Sequence, residues 1–259
     1  MIDLNAIIAI AFRDLIKFGR DPLRIVSALI FPVVFIGILG GSFQASLGQV
    51  LEYNFLAFTF TGVFAQTLFQ SAALGLISLI EDRENDFSQE MFVSPISRYA
   101  IVFGKILGET LVALTQGVAV VAFAVSIGIP LTWGQALALL PVAVISCLFG
   151  GAFGVVLMAN ISNQRAANQI FPFIMLPQFF LAGVFTPIKV LPWYLDILSK
   201  ISPMRYPVDF TRGVYYAGLP EYEAVVVLSP VTNLVIMGSL FFIFLVVGTW
   251  LFVRNEHNR

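Results

Sequence analysis

Residues 25–51 carry no formally charged side chain, and neither do residues 53–80. Residues 110–164, 166–188 and 224–253 repeat the pattern. A membrane-crossing helix needs about 20 apolar residues, so these runs admit few folds other than a bundle of spans. The longest run breaks at "GIPLTWG", residues 128–134, where glycine and proline mark a turn. Six crossings are expected, the third starting near Tyr99, with Lys105 snorkelling from a helix end. Composition agrees, since 59% of the 259 residues are hydrophobic and 11% are charged. A water-soluble domain of that size would need more charge to cover its surface.

Counts narrow the chemistry. Cys147 is the only cysteine, so no internal disulfide forms. His257 is the only histidine and lies near the C-terminus, so a His-based metal or nucleophile site within the spans is excluded. No phosphate-binding loop is present: Gly104-Lys105 is followed by Ile106, with no glycine five positions before Gly104. No catalytic, cofactor-binding or metal-binding residue is therefore expected, and the net charge of −1 gives no ground for nucleic-acid binding. The opening "MIDLNAIIAIAFRDLIKFGRDP" lacks a basic start and a small-residue cleavage pattern, so it is expected to be retained.

Lysine and arginine in short connections set orientation. Arg13, Lys17, Arg20 and Arg24 lie at the N-terminal end; Arg83, Arg98 and Lys105 flank the second connection; Arg165 lies in the fourth, and Arg254 and Arg259 in the tail. The first and third connections have none, which places both termini in the cytoplasm of a multi-pass cell-membrane protein. Lys189, Lys200, Arg205 and Arg212 fall on the outer side in this topology, balanced by Asp196, Asp209, Glu221 and Glu223.

Three segments outside the spans have patterns of their own. In residues 1–22 and just beyond, Arg13, Lys17, Arg20 and Arg24 step by four, three and four, one helical stripe with Phe12, Leu15, Ile16 and Leu23 away from it. That pattern predicts an amphipathic helix in the cytoplasmic interface, its basic side toward anionic headgroups. Asp21-Pro22 has the form of a cap and first residue of the next helix. In "EDRENDFSQEMFVSPISR" the charge is dense. As a helix it places Phe87 and Met91 together, with Glu84 elsewhere and acidic residues at the favourable end of the dipole. Ser94 and Pro95 would then start the third span, with Arg98 at the headgroups. The apolar tip fits either a groove in a soluble partner or the membrane surface. In residues 188–217, Leu191, Leu195, Leu198 and Ile201 form a stripe before Pro203, and Asp209 has helical spacing to Arg205 and Arg212. Pro187 ends the fifth span, and Trp193 with nearby tyrosines suits an outer interface. Two short helices that dip into the outer leaflet are expected, with an aromatic-anchored loop as the alternative.

The "DRENDFSQEMFVSPISR" segment resembles the signature region of type-2 ABC exporter permeases through Gln89-Glu90-Met91, Pro95, Ser97 and Arg98. Asp86-Phe87 departs from the Gly-Thr common there. "LPQFFLAGVFTPIKVLPWYLDILSKISPMRYPVDFTRGVYY" is similar to the family's fifth span and outer hairpin. The resemblance covers almost the whole chain and implies one permease domain over residues 1–259: an all-α integral membrane protein of six spans, an interfacial helix, a cytoplasmic coupling helix at 82–94 and an outer hairpin. It implies that Glu84, Asp86, Phe87, Glu90, Met91, Pro95 and Arg98 face an ATPase subunit present in two copies. ATP and Mg would be bound there and not by this chain. Two permease copies, or this chain with a homologous one, would form an outward pathway in membrane lipid, gated near Pro187, Trp193, Pro203, Arg205, Asp209 and Arg212.

Inside the spans Glu109 is the conspicuous ionisable residue, either a functional carboxylate or one paired with Lys105 four residues earlier. Gln116 and Gln178 are further candidates for the pathway. Gly37/Gly41, Gly104/Gly108 and Gly150/Gly154 have the spacing of close helix approaches. Apolar spans suit a hydrophobic drug, lipid or glycolipid-like substrate. The 14% aromatic content leaves polysaccharide open, and an ion-coupled secondary transporter is the alternative mechanism.

Overall fold

A computed structural model describes residues 4–84, 97–161 and 163–257, and among these every regular element is helical. Helix α1, Leu4–Gly19, precedes the first span, whose start is capped as Asp21-Pro22 suggests: the Asp21 carboxylate accepts from the Arg24 N–H at 2.9 Å. The span runs through α2, Pro22–Pro32, a π-helical segment Val33–Gly40, and α3, Gly41–Leu47. The widening begins directly after Pro32, which lacks the N–H that a regular ladder needs.

The second span is α4, Phe55–Gly75, continued by α5, Ile77–Glu84 after a break at Leu76. The third is α6, Arg98–Ser126, capped by Ser97 through the Ala100 N–H and not started by Ser94-Pro95 as the sequence suggested. Thr132 and Gln135 close a reciprocal capping box on α7, Trp133–Ala159. Helix α8, Gln164–Leu181, is followed by a 3-10 turn, Ile188–Val190, then α9, Trp193–Ile201, α10, Arg205–Tyr215, α11, Tyr222–Val225, and α12, Pro230–His257.

Among the described residues, five helices are long and apolar enough to cross a membrane: Pro22–Leu47, Phe55–Asp82, Tyr99–Ser126, Trp133–Ala159 and Tyr222–Leu251. The place of the remaining expected crossing is held by α8. It has 18 residues, and Gln164, Arg165, Asn168, Gln169 and Gln178 dilute its apolar character. The second and fourth positions form the centre, with 78% and 72% of their most apolar windows buried, against 17% for the first and last. They meet at Gly150 and Gly154, where added methyl groups would collide with the Phe69 and Ala73 carbonyls. Helix α10 is also inside, packed on α4, α7 and α12. Helix α9 instead exposes Trp193, Ile197 and Ile201.

Helix α1 lies along α6. Its buried face is Ile7, Ile10, Ala11, Asp14 and Phe18, while Leu4, Ile8 and Phe12 form an exposed apolar stripe. Gly104 and Gly108 are the seat for this contact: a methyl at Gly104 would lie 3.2 Å from Ile10 Cβ, and one at Gly108 3.1 Å from Ala11 Cα. The small-residue spacing on the third span therefore serves the N-terminal helix.

Candidate functional site

Helix α1 carries an aspartate on its buried face, and that anomaly leads to the first constellation. Asp14 is 4% exposed and Lys105, one turn before Glu109 on α6, is 1% exposed. Lys105 Nζ lies 3.2 Å from Asp14 Oδ2 and 2.7 Å from Asp82 Oδ2, and it donates to Ser78 Oγ at 3.1 Å. Arg13 Nη2 reaches both Asp14 Oδ1 and Asp82 Oδ2 at 3.0 Å, and Lys17 Nζ reaches Glu81 Oε1 at 3.0 Å. Burial alone would lower the Arg13 pKa, but the carboxylates of Asp14 and Asp82 outweigh it and hold the guanidinium above its ordinary value. The network ties α1 to the end of α5 and the start of α6, the two elements that flank the charged connection. Lys105 is thus an enclosed ion rather than a snorkelling one, and the expected basic stripe is split between two helices, Arg13 and Lys17 on α1 turning to carboxylates here and Arg24 on α2 to Glu109. Arg20 stays exposed.

Glu109 does not take Lys105 as the helical spacing suggested. Its Oε2 accepts from Arg24 Nη2 at 3.3 Å, across from the first span. Lys105 has two carboxylates closer at hand, which leaves Glu109 to the arginine. The Glu109 carboxylate fits only because residue 75 is glycine: a methyl group there would occupy its place.

Arg24 also borders a cleft of about 260 Å³ between the first three spans. Arg24, Ser27 and Phe31 line it from the first, Gln66, Thr67, Gln70 and Ser71 from the second, and Gln116 from the third. Gln66 Nε2 donates to Gln70 Oε1 at 2.5 Å. Gln66 Oε1 and Thr67 Oγ1 are buried with no hydrogen-bond partner among the described residues. Of the residues expected in a pathway, Gln116 lines this cleft and Glu109 stands behind Arg24. Gln178 is elsewhere: it donates to the Ile174 carbonyl and accepts from Ser202 Oγ and the Met204 N–H, holding the hairpin to α8.

The hairpin residues are distributed differently from their spacing. Asp209 pairs with neither Arg205 nor Arg212. Its carboxylate accepts from the Val227 and Leu228 N–H groups at 2.8 and 2.7 Å and from Asn233 Nδ2 at 2.8 Å, fastening the hairpin to the start of α12. Backbone N–H groups that lack helical partners are the stronger claim on a carboxylate here. Arg205 donates to Ser199 Oγ at 3.0 Å and Asp196 Oδ1 at 3.4 Å. Arg212 donates to the Gly183 and Val184 carbonyls and lies 3.7 Å over the Phe58 ring, tying the turn after α8 to the second span. Half-buried Asp196 has its pKa held below its ordinary value, first by a hydrogen bond from Lys200. Pro187 precedes the 3-10 turn, exposed Trp193 opens α9, and Pro203 lies between the two short helices.

Asp86, Phe87, Glu90, Met91 and Pro95, with Ser94, lie outside the described residues. Glu84 ends α5 and Arg98 begins α6. The residues that spacing rules missed are Asp14, Glu81 and Asp82, although an aspartate among Ile7, Ile10, Ala11 and Phe18 was a usable signal.

Comparison with known proteins agrees with this membrane architecture. A family model described as ABC-2 type transporter matches residues 5–216. A protein of Cyanophora paradoxa named as the transport permease ycf38 is 25% identical over 207 residues, covering 78% of this chain and 71% of its own length. The ycf38 permease of Porphyra purpurea is 21% identical over 216 residues, 82% of this chain and 74% of the relative. YbhR of Escherichia coli (strain K12), named as a multidrug ABC transporter permease, is 28% identical over 141 residues, 54% of this chain and 38% of YbhR. Matched from α1 to the end of the hairpin, and with several helices apolar enough to span a membrane, the chain belongs to the ABC-2 type transporter family as a multi-pass membrane permease.

Proposed function

We propose that this chain is the membrane half of an ATP-driven exporter for a hydrophobic drug, lipid or glycolipid-like substrate. The observation that carries the reading is the polar cleft between the first three spans. Groups that hydrogen-bond within a membrane are costly unless they serve a pathway or a partner. The family implies pairing with an ABC ATPase subunit. Two such subunits would hold ATP and Mg, dock on residues 82–94 and push the ends of α5 and α6. Because the ion network joins those ends to α1, a push there reaches the first span as well. The outer hairpin, fixed by Asp209 and Arg212, forms the far end of the route. A second copy or a homologous permease completes it, and both termini lie in the cytoplasm at the cell membrane.

The test is co-purification with an ATPase subunit, repeated with Phe87→Asp and Met91→Asp. Assembly or ATP-coupled transport is expected to fall while membrane insertion survives. An ion-coupled transporter is the second reading, favoured by the Arg24–Glu109 pair at the cleft. Transport that persists without any ATPase and follows a proton gradient would establish it in place of the first. Polysaccharide remains the competing substrate class, separated by assaying the same vesicles with labelled glycan.

A further inference from the structure

The cleft between the first three spans has a chemical bias. The charged side chain lining it is Arg24, 37% exposed on its side chain, whereas its partner Glu109 is 2% exposed and lies behind it against Gly75. An approaching ligand therefore meets a guanidinium and not a carboxylate. Glu109 takes one N–H of Arg24, and a guanidinium has five in a fixed fork. Thr67 adds a buried hydroxyl without a partner, and Gln70, which accepts through Oε1, keeps its amide nitrogen as a donor. One buried acceptor, Gln66 Oε1, also lacks a partner, although Gln66 is only 2% exposed. Buried polar atoms of this kind are normally satisfied, so the cleft is short of an acceptor-rich group that also brings a donor. Beside these polar groups, Phe31, Pro32 and Leu74 supply apolar wall.

We infer that the cleft binds an amphiphile whose anionic head, carrying its own O–H or N–H donor, sits between Arg24, Thr67 and the Gln66–Gln70 pair, with its apolar body along Phe31 and Leu74. This deepens the exporter reading and rests on it, by naming the substrate class that the cleft selects. Glu109 acts as a positioning residue, aiming Arg24 at the cleft mouth without touching the ligand.

The probe is dodecyl phosphate, which has an acidic P–O–H head, compared with dodecyltrimethylammonium, which has the same tail and a cationic head. Binding is measured with tritiated probes on the detergent-purified permease–ATPase complex, below the micelle-forming concentration, with inorganic phosphate as competitor. Dodecyl phosphate is expected to bind tighter by about tenfold or more, the scale of one charge-assisted hydrogen bond. Inorganic phosphate should compete poorly. Arg24→Gln alone strands a buried carboxylate and risks misfolding, so the informative variant is Arg24→Gln with Glu109→Gln, which leaves the net charge unchanged. It should bring the two probes to within about twofold of each other. Thr67→Val with Gln66→Leu should weaken dodecyl phosphate while leaving the ion pair intact. Equal binding of the two probes, a preference that survives in the double glutamine variant, or full competition by inorganic phosphate would overturn the inference. If neither probe binds but another substrate is still moved with ATP, the substrate class is wrong and the exporter reading stands. If no ATPase associates and nothing is moved with ATP, the exporter reading fails too.

Discussion

Lys105 is the residue on which the ion network joining α1, α5 and α6 turns. It is fully enclosed and touches two carboxylates that come from different helices. Lys105→Met leaves Asp14 and Asp82 to share Arg13. Removing one partner of a buried ion pair costs about 3–5 kcal/mol. Thermal unfolding in detergent should therefore move down clearly for this variant. Adding Asp14→Asn should recover part of the loss, because the two changes act on one network. A fully additive pair of losses would mean that Lys105 and Asp14 do not couple. Asp14 on an apolar helix face was a readable signal, but its partner was not. Lys105 and Asp14 are separated by 91 positions, and Arg24 and Glu109 by 85. Helical spacing rules see partners three or four residues away. For Glu109 and Asp209 they offered a near neighbour of opposite charge, while the fold brought a better match from afar.

At the scale of elements, periodicity and caps did better. The long uncharged runs correspond to observed helices, and Asp21-Pro22 and the "GIPLTWG" turn lie where the chain changes direction, with Gly128 at φ +85°. Stripes were read less fully. Arg13 and Lys17 lie on α1 as the stripe suggested, but the helix ends at Gly19 before Arg20 and Arg24, and which side met protein was decided by Gly104 and Gly108 on α6. Apolar residues occur on both remaining faces of α1, and a sequence does not say which covers which partner. The seat gives an element-level expectation. Gly108→Leu should lift α1 from α6, since its backbone lies in van der Waals reach of that position. Limited proteolysis should then cut near Arg13 and Arg20 faster, while the core spans stay protected. An unchanged cleavage rate would show that α1 is held by its ion pairs alone. The dilution of α8 by Asn and Gln was likewise readable, yet an uncharged run of adequate length masked it.

In the whole molecule, the bundle is concentric. The second and fourth positions are enclosed, the third is half-buried, and the first and last present most of their surface outward to lipid or to a second chain. A cleft bounded by the first span therefore lies near the rim, where a lipid-borne molecule has lateral access. The rim position also means that motion of α1 and the first span can change the cleft without repacking the α4–α7 centre.

The ion pairs around the third span have an implication for how the protein is made. Lys105 and Glu109 enter the bilayer as charged groups on one helix, and a charge within a span is costly to insert, rising to about 2.5–3.5 kcal/mol at the centre on translocon scales. Their described counter-charges, Asp14, Arg24 and Asp82, all precede them in the chain. Synthesis runs from the N-terminus, so each partner has already left the ribosome when the third span reaches the translocon. Deleting residues 1–20 removes Asp14 while leaving every span, the first with its Asp21 cap included, intact. Topology reporters fused after residue 128 should then show the third span failing to insert in a fraction of chains, and co-expressing the missing segment as a separate peptide should restore it. The N-terminal helix would in that case act as a built-in insertion aid, handing a counter-ion to a span that arrives after it.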